Sequence, residues 1–214
     1  MLLWIAAAFV SGSLMFSYWI GLAVKRDLRE VGDGNPGGIN LWKAAGVWLG
    51  LAGIALDFAK GYLPVWLMLR YGPPAGYGLA LAAAAPVMGH LFSPFMKFKG
   101  GKGIAVTFGV WSALTAFRAS LALAVVLLAL HLLFKKMNQE KYGGSDADGF
   151  QVCLGMLLMP AYLYFAGYPA PVHLLWLLNF MLILYAHRNE VFRFLGIRQL
   201  DPKRQEKHGR QIGG

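Results

Sequence analysis

Residues 119–134 read ASLALAVVLLALHLLF, a run without any acidic, lysine or arginine side chain. Charged residues make up only 14% and hydrophobic residues 57% of the 214 residues, and the mean hydropathy is +0.51. A soluble domain of this length rarely has so little charge, so the sequence predicts an all-α integral membrane protein with about seven transmembrane helices. The seven apolar runs cover residues 2–24, 45–69, 76–95, 104–117, 119–134, 150–166 and 171–186.

The fourth and fifth runs are short and flank Arg118. They are compatible with two helices joined by a tight turn or with one long, broken helix, because short spans are tolerated where the bilayer thins or the bundle buries them. No soluble domain interrupts the runs. We therefore expect one membrane domain over residues 1–197, followed by a basic cytoplasmic tail over residues 198–214.

The basic residues predict the orientation of the chain. If the amino terminus lies outside, all of the 20 lysines and arginines except three fall on the cytoplasmic side. Arg70 and Arg118 then lie in outer loops and Lys60 lies within a span. This bias predicts an outside amino terminus and a cytoplasmic carboxyl terminus. The net charge of +10 is explained by this topology and by anionic lipid, and it requires no nucleic acid partner.

A basic, glycine-rich loop, Lys99-Gly100-Gly101-Lys102-Gly103, separates the third and fourth runs. Such a loop can be a plain turn, but backbone N–H groups and fixed cations at the membrane surface are also suited to binding phosphate. A nucleotide-hydrolysing P-loop is excluded, because Met96 occupies its first glycine position and Gly103 follows the lysine. The G-x-G-x-x-G letters at residues 32–37 are rejected as a dinucleotide motif, because a membrane helix and a charged run precede them.

Four other polar residues in or at the ends of the spans are candidates for function. Asp57 and Lys60 lie one helical turn apart inside the second span, where charges usually pair and either support the structure or mark a functional region. His90 and His187 end the third and seventh spans on the same predicted face as the loop. The single cysteine, Cys153, has no partner for a disulfide or a metal site. Neither a metal nor a cofactor is expected.

Four blocks of sequence carry a resemblance to a known family. They are GSLMFSYWIGLAVKRDLREVGDGNPGGINLWKAAG from Gly12, LDFAKGYLPV from Leu56, GHLFSPFMKFKGGKGIA from Gly89 and HRNEVFRFLG from His187. In order and spacing they resemble the PlsY family of bacterial acyl-phosphate:glycerol-3-phosphate acyltransferases. The resemblance implies a multi-pass enzyme of the bacterial inner membrane with its active site facing the cytoplasm.

The resemblance further implies transfer of an acyl chain from acyl phosphate to the 1-hydroxyl of glycerol 3-phosphate, giving lysophosphatidic acid. Both substrates and membrane lipid would then be partners of the chain. Together with the loop argument, it assigns catalytic roles to Lys102, His187 and Asp33. The substrate-binding candidates are Asn35, Asn40, Lys43, Lys60, His90, Lys99, Gly100, Gly101, Gly103 and Glu190.

The chain departs from the family pattern at several positions. Asp33 replaces a serine, Lys43 replaces an arginine, Asn189 and Glu190 occur in reverse order, and an R-Y-V-S stretch is missing from residues 135–149. A bare carboxylate would repel phosphate, so we expect Asp33 to pair with a cation such as Arg29 or Lys43. The alternative is a diverged paralogue with a different acceptor or without catalysis. A small anion transporter is disfavoured, because no internal repeat is present.

Overall fold

The computed structural model describes residues 1–72, 76–137 and 144–197, and within these ranges the regular structure is entirely helical. The predicted tail, 198–214, lies outside the described residues. Two single 3₁₀ turns, Leu28–Glu30 and Pro94–Met96, accompany the α-helices. The helices are α1 (Leu2–Ser13), α2 (Phe16–Ala23), α3 (Gly38–Ala45), α4 (Val47–Tyr71), α5 (Tyr77–Leu91), α6 (Ile104–Thr115), α7 (Arg118–Met137), α8 (Ser145–Phe165) and α9 (Ala170–Phe194).

Five segments of the described chain are long and apolar enough to cross a membrane. The all-helical prediction is thereby confirmed, whereas the count of seven and the orientation stay predictions. The helix α6 has only 12 residues, and α8 begins with a polar turn that contains Asp146 and Asp148. The five segments are Leu2–Ala23, Val47–Tyr71, Tyr77–Met96, Arg118–Met137 and Ala170–Phe194.

Some helices end later than the predicted apolar runs, because polar residues continue the helix. The last helix, α9, extends to Phe194 rather than ending near residue 186, so it carries His187 and Glu190 on its final turns. Between α6 and α7, Ala116 and Phe117 have φ angles of 48° and 68°. The two short runs are therefore separate helices joined by a tight turn, and the Ser112 hydroxyl donates to that of Ser120 across the turn at 2.8 Å.

The first apolar run is broken between α1 and α2, and the buried charges of α4 fill the break. Lys60 donates to the carbonyl oxygen of Leu14 and lies 2.8 Å from Asp57. The Ser17 hydroxyl, on α2, donates to the other oxygen of Asp57 at 2.6 Å. A carbonyl freed by a helix break inside a membrane needs such a donor. The structure therefore gives Lys60 and Asp57 a structural role.

The helices pack closely on one side and expose apolar side chains on the other. At the α4–α6 contact, a Cβ on Gly61 or Gly109 would clash with the backbone of the facing helix, as expected for small residues between membrane helices. On α7, only Ala119, Ser120, Leu123 and Leu130 are buried, and the remaining apolar surface fits contact with lipid. The ends of α5, α8 and α9 meet the loops that contain the predicted site.

Candidate functional site

The larger of two neighbouring cavities has a volume of about 950 Å³. It lies between the loop at residues 32–35, the start of α6, the start of α8 and the last turns of α9. Elements far apart in sequence thus contribute to one polar chamber. The predicted residues that line it are Asp33, Asn35, Asn40, Lys43, Lys102, His187 and Glu190.

Asp33 is the centre of a hydrogen-bond network at this cavity. Its Oδ2 lies 2.6 Å from Lys102 Nζ. Its Oδ1 accepts from the Asn40 amide group at 2.8 Å and from the backbone N–H of Asn35 at 3.1 Å. The expectation that Asp33 is paired is confirmed, but its partner is Lys102 rather than Arg29 or Lys43. The pairing brings the first loop onto the Gly-Lys loop, a contact that spacing along the chain could not reveal.

The pairing changes the pKa of both groups. Burial disfavours the charged form of Asp33, but the hydrogen bond and charge of Lys102, with the Asn35 and Asn40 donors, outweigh it and lower its pKa from 3.8 to about 2. Burial likewise opposes the charge on Lys102, yet the contacts with Asp33 and Glu190 raise the pKa of Lys102 above 10.5. Both groups are therefore ionised throughout the physiological pH range.

Charges of opposite sign alternate along the wall of the cavity. Lys102 lies 3.0 Å from Glu190, and Glu190 lies 3.9 Å from Arg193. Arg193 in turn pairs with Asp146 at 2.6 Å. Among the described cations that line the cavity, only Lys43 has no carboxylate within ion-pair distance. Its exposed ammonium group is thus available to an incoming anion.

The Gly-Lys loop does not present its glycine amides as an open phosphate cradle. The N–H groups of Gly100 and Gly101 donate to the carbonyl oxygens of Leu91 and His90 at 2.9 and 3.1 Å. The N–H of Lys102 donates to Asn35 Oδ1 at 3.1 Å. Unpaired backbone N–H donors are instead found in the first turn of α6, because this helix begins after Gly103 without a side-chain cap. The first-turn N–H groups of a helix have no partner within the helix and attract anions.

The second cavity, of about 290 Å³, adjoins the first. Three predicted binding residues that are absent from the first cavity, Lys99, Gly100 and Gly101, line it together with Arg188. Its other walls are apolar and aromatic, and the rings of Phe92 and Tyr185 lie 5.4 Å apart there. Asp33, Asn35 and Lys102 line both cavities, so these three residues form the wall between them.

Three predicted binding residues line neither cavity. Lys60 lies at the break between α1 and α2, Gly103 precedes α6, and His90 is buried at the end of α5 beside Gly101. A Cβ on Gly101 would clash with the His90 ring, so His90 shapes the loop from behind. His187 differs, because it lines the larger cavity and neither ring nitrogen has a hydrogen-bond partner in the described structure.

Three residues at the site are not among the candidates predicted from the sequence. Ser145 lies 3.3 Å from Lys102 Nζ, and Asp146 and Arg193 form an ion pair in the wall of the larger cavity. Ser145 and Asp146 lie within residues 135–149, where the family's R-Y-V-S stretch is missing and the sequence offers no other motif. A serine followed by acidic residues is a helix-start signal, and it could have placed both residues at the beginning of α8.

These features define a class: a helical membrane protein in which two cavities, each lined in part by basic side chains, meet at one lysine–aspartate pair. Among the described residues, no group of three or more histidine, cysteine or acidic side chains could hold a metal ion. Residues 2–196 match the family described as glycerol-3-phosphate acyltransferase. The chain belongs to this glycerol-3-phosphate acyltransferase family, and the predicted family membership is confirmed.

Individual relatives agree with this assignment over nearly the whole chain. A protein of Thermotoga maritima named glycerol-3-phosphate acyltransferase 1 is 37% identical over 196 residues, which are 89% of this chain and 96% of the relative. A glycerol-3-phosphate acyltransferase of Aquifex aeolicus is 32% identical over 189 residues, 88% of this chain and 92% of that one.

Solved structures show the same fold. The crystal structure of PlsY (YgiH), an integral membrane glycerol 3-phosphate acyltransferase, in its glycerol 3-phosphate form has a TM-score of 0.77 and 30% identity, covering 93% of this chain and 94% of that chain. Its lysophosphatidic acid form has a TM-score of 0.76 and 28% identity, with 93% of each chain covered. A multi-pass membrane protein is thus supported by both the apolar helices and the structural relatives.

Proposed function

We propose that this protein transfers an acyl chain from acyl phosphate to the 1-hydroxyl of glycerol 3-phosphate and so produces lysophosphatidic acid for phospholipid synthesis. The observation that carries the proposal is the shared wall of the two cavities, formed by Asp33, Asn35 and Lys102. A direct transfer between two substrates needs two adjacent sites, and a cation between these sites offsets the repulsion between two phosphate groups. The family relatives named for this activity support the choice of acceptor.

Glycerol 3-phosphate is assigned to the larger cavity. Lys43 offers a cation without a carboxylate partner, and the uncapped start of α6 offers backbone donors beside Ile104, which lines the same cavity. Asn35 and Asn40 donate hydrogen bonds to the carboxylate of Asp33, and the ion pair with Lys102 balances its negative charge. The repulsion between Asp33 and phosphate is thereby reduced. The diverged-paralogue alternative, which relied on an unpaired Asp33, is therefore not favoured.

Acyl phosphate is assigned to the smaller cavity. Lys99 and Arg188 supply positive charge for its phosphate, and Phe92 and Tyr185 supply an apolar wall for the start of its chain. Phe98, which also lines this cavity, is 64% exposed. An acyl chain can therefore extend from the cavity along this apolar side chain toward the surrounding lipid.

The chemistry we assign to this site is a direct transfer. The 1-hydroxyl oxygen attacks the carbonyl carbon of the donor, the bond from that carbon to the phosphate oxygen breaks, and inorganic phosphate leaves. His187, whose ring nitrogens have no partner in the described structure, accepts the hydroxyl proton. Lys102 stabilises the negative charge that develops on the carbonyl oxygen and on the departing phosphate, which it contacts from the wall shared by the two cavities. Among the described residues no cysteine lines either cavity, and the Ser145 hydroxyl in the larger one is hydrogen-bonded to the charged Lys102 and Asp33 rather than to a histidine, which favours transfer without an acyl-enzyme intermediate.

The cellular setting forms part of the same proposal. Residues 1–197 form one membrane domain in the bacterial inner membrane, and residues 198–214 are a basic cytoplasmic tail. The amino terminus lies outside, so the two cavities open toward the cytoplasm, from which glycerol 3-phosphate arrives. The distribution of basic residues supports this orientation.

An acyltransferase assay on the purified protein tests the proposal. Acyl phosphate, acyl-CoA and acyl carrier protein donors are each offered with glycerol 3-phosphate, and lysophosphatidic acid is measured. We expect lysophosphatidic acid with acyl phosphate as the donor and none with the other two donors. Product with acyl-CoA or acyl carrier protein instead would refute the donor, and no product with any donor would refute the activity.

A further inference from the structure

Ser145 reaches the centre of the site from the first position of α8. Its hydroxyl oxygen accepts from Lys102 Nζ at 3.3 Å, and the hydroxyl donates to Asp33 Oδ2 at 3.3 Å. Ser145 itself is exposed, and the ends of helices fray. The Ser145 hydroxyl therefore stays beside Lys102 and Asp33 only if another contact fixes the start of α8.

The ion pair between Asp146 and Arg193 provides that contact. Asp146 follows Ser145 in the first turn of α8, and Arg193 lies in the last turn of α9. Arg193 Nε donates to both oxygens of Asp146 at 3.0 and 3.1 Å, and Nη2 donates to Oδ1 at 2.6 Å. A guanidinium that uses two nitrogens on one carboxylate fixes orientation as well as distance.

A close backbone approach accompanies the ion pair. One turn further along α8, a Cβ on Gly149 would lie 2.6 Å from Cβ of Glu190 and 3.1 Å from Nδ1 of His187. The first turns of α8 therefore lie directly on the part of α9 that lines the cavity. Arg193 also lies 3.9 Å from Glu190, which in turn contacts Lys102. The ion pair thus joins α8 to the residues around the lysine.

We infer that Asp146 and Arg193 form a positioning clamp that holds Ser145 against Lys102 and Asp33 during acyl transfer. The inference rests on the proposed function. Arg193 acts through Ser145 and need not touch substrate. Its loss should therefore lower kcat and leave KM for glycerol 3-phosphate nearly unchanged, whereas loss of a direct phosphate ligand would raise KM.

A double-mutant cycle on the purified full chain tests the clamp. We expect Arg193→Ala and Ser145→Ala each to lower kcat roughly ten- to a hundredfold, the effect of misplacing a reacting group by a fraction of an ångström to one ångström. The double variant should be no worse than Ser145→Ala alone, because the two changes remove the same effect. Arg193→Lys, which keeps the charge but loses the fork, should recover only part of the rate. Asp146→Asn provides a milder, nearly isosteric variant if Arg193→Ala does not fold.

Hydrogen exchange gives a readout that is independent of activity. Amides in the first turns of α8 should exchange faster in Arg193→Ala and Asp146→Asn than in the wild type. Arg26→Ala removes the same charge from an exposed position and should change neither exchange nor kcat. Additive losses in the cycle, a raised KM in Arg193→Ala, or unchanged exchange would each overturn the clamp. If the wild type does not acylate glycerol 3-phosphate, the proposed function fails, and exchange alone then decides the clamp.

Discussion

Replacement of Lys102 by alanine should damage the site in two ways. The first is the loss of a charge-assisted contact with substrate phosphate, worth roughly 1.5–3 kcal/mol. The second is the exposure of two carboxylates, because Lys102 Nζ lies 2.6 Å from Asp33 and 3.0 Å from Glu190. A phosphate charge about 6 Å from a carboxylate is repelled by roughly 3 kcal/mol at an effective dielectric constant of about 20, before salt screening.

Together these terms predict that Lys102→Ala lowers kcat/KM at least about a hundredfold. The double variant Asp33→Asn/Lys102→Ala should be more active than Lys102→Ala, because it removes one of the stranded carboxylates. Rates of lysophosphatidic acid formation from acyl phosphate and glycerol 3-phosphate give both parameters. Lys135→Ala, at an exposed position on α7, controls for the loss of one positive charge.

Two outcomes would refute this reasoning. If KM and kcat of Lys102→Ala stay within about threefold of the wild type, phosphate is bound elsewhere. If the double variant loses more activity than Lys102→Ala, Asp33 contributes to the reaction beyond its pairing with Lys102. In that case the network around Asp33, rather than the lysine, would be the centre of the site.

The pH dependence of stability reports on Asp33. A carboxyl group whose pKa is lowered in the folded protein stabilises the fold at pH values above its ordinary pKa of 3.8, and this stabilisation is lost as the pH falls through the folded-state pKa of about 2. The difference in thermal unfolding midpoint between the wild type and Asp33→Asn should therefore be constant from about pH 5 to 9, and a difference that changes within this range would contradict the assigned pairing. Gly101→Ala should lower both stability and kcat, because its Cβ would clash with the buried His90 ring and such overpacking costs about 1–3 kcal/mol. Unfolding midpoints and rates measure this effect, and a fully active Gly101→Ala variant would show that the loop tolerates displacement. A reporter fused after Gly214 that is active only in the periplasm should stay silent, and a signal from it would overturn the predicted orientation.

Composition and the positions of the charged residues were sufficient for the class of protein. An apolar run such as residues 119–134 is typical of a membrane span rather than of a soluble segment. It forms a helix because unpaired backbone N–H and C=O groups are costly in lipid. The Gly-Lys loop was also visible, because its letters are unusual between two apolar runs. The N–H groups that are free to bind an anion could not be identified from the sequence. The amides of Gly100 and Gly101, which the sequence suggested, donate to carbonyl oxygens at the end of α5.

The sequence by itself determined a helical membrane protein, the family, and seven of the residues that line the larger cavity. Only the tertiary structure decided that Asp33 pairs with Lys102, that Lys60 fills a helix break, and that Ser145 joins the site. The physical reason is that hydropathy and helix periodicity act on neighbouring residues, whereas ion pairs depend on which helix ends meet. Asp33 and Ser145 are separated by 112 positions, and their contact depends on the packing of α8 against α9.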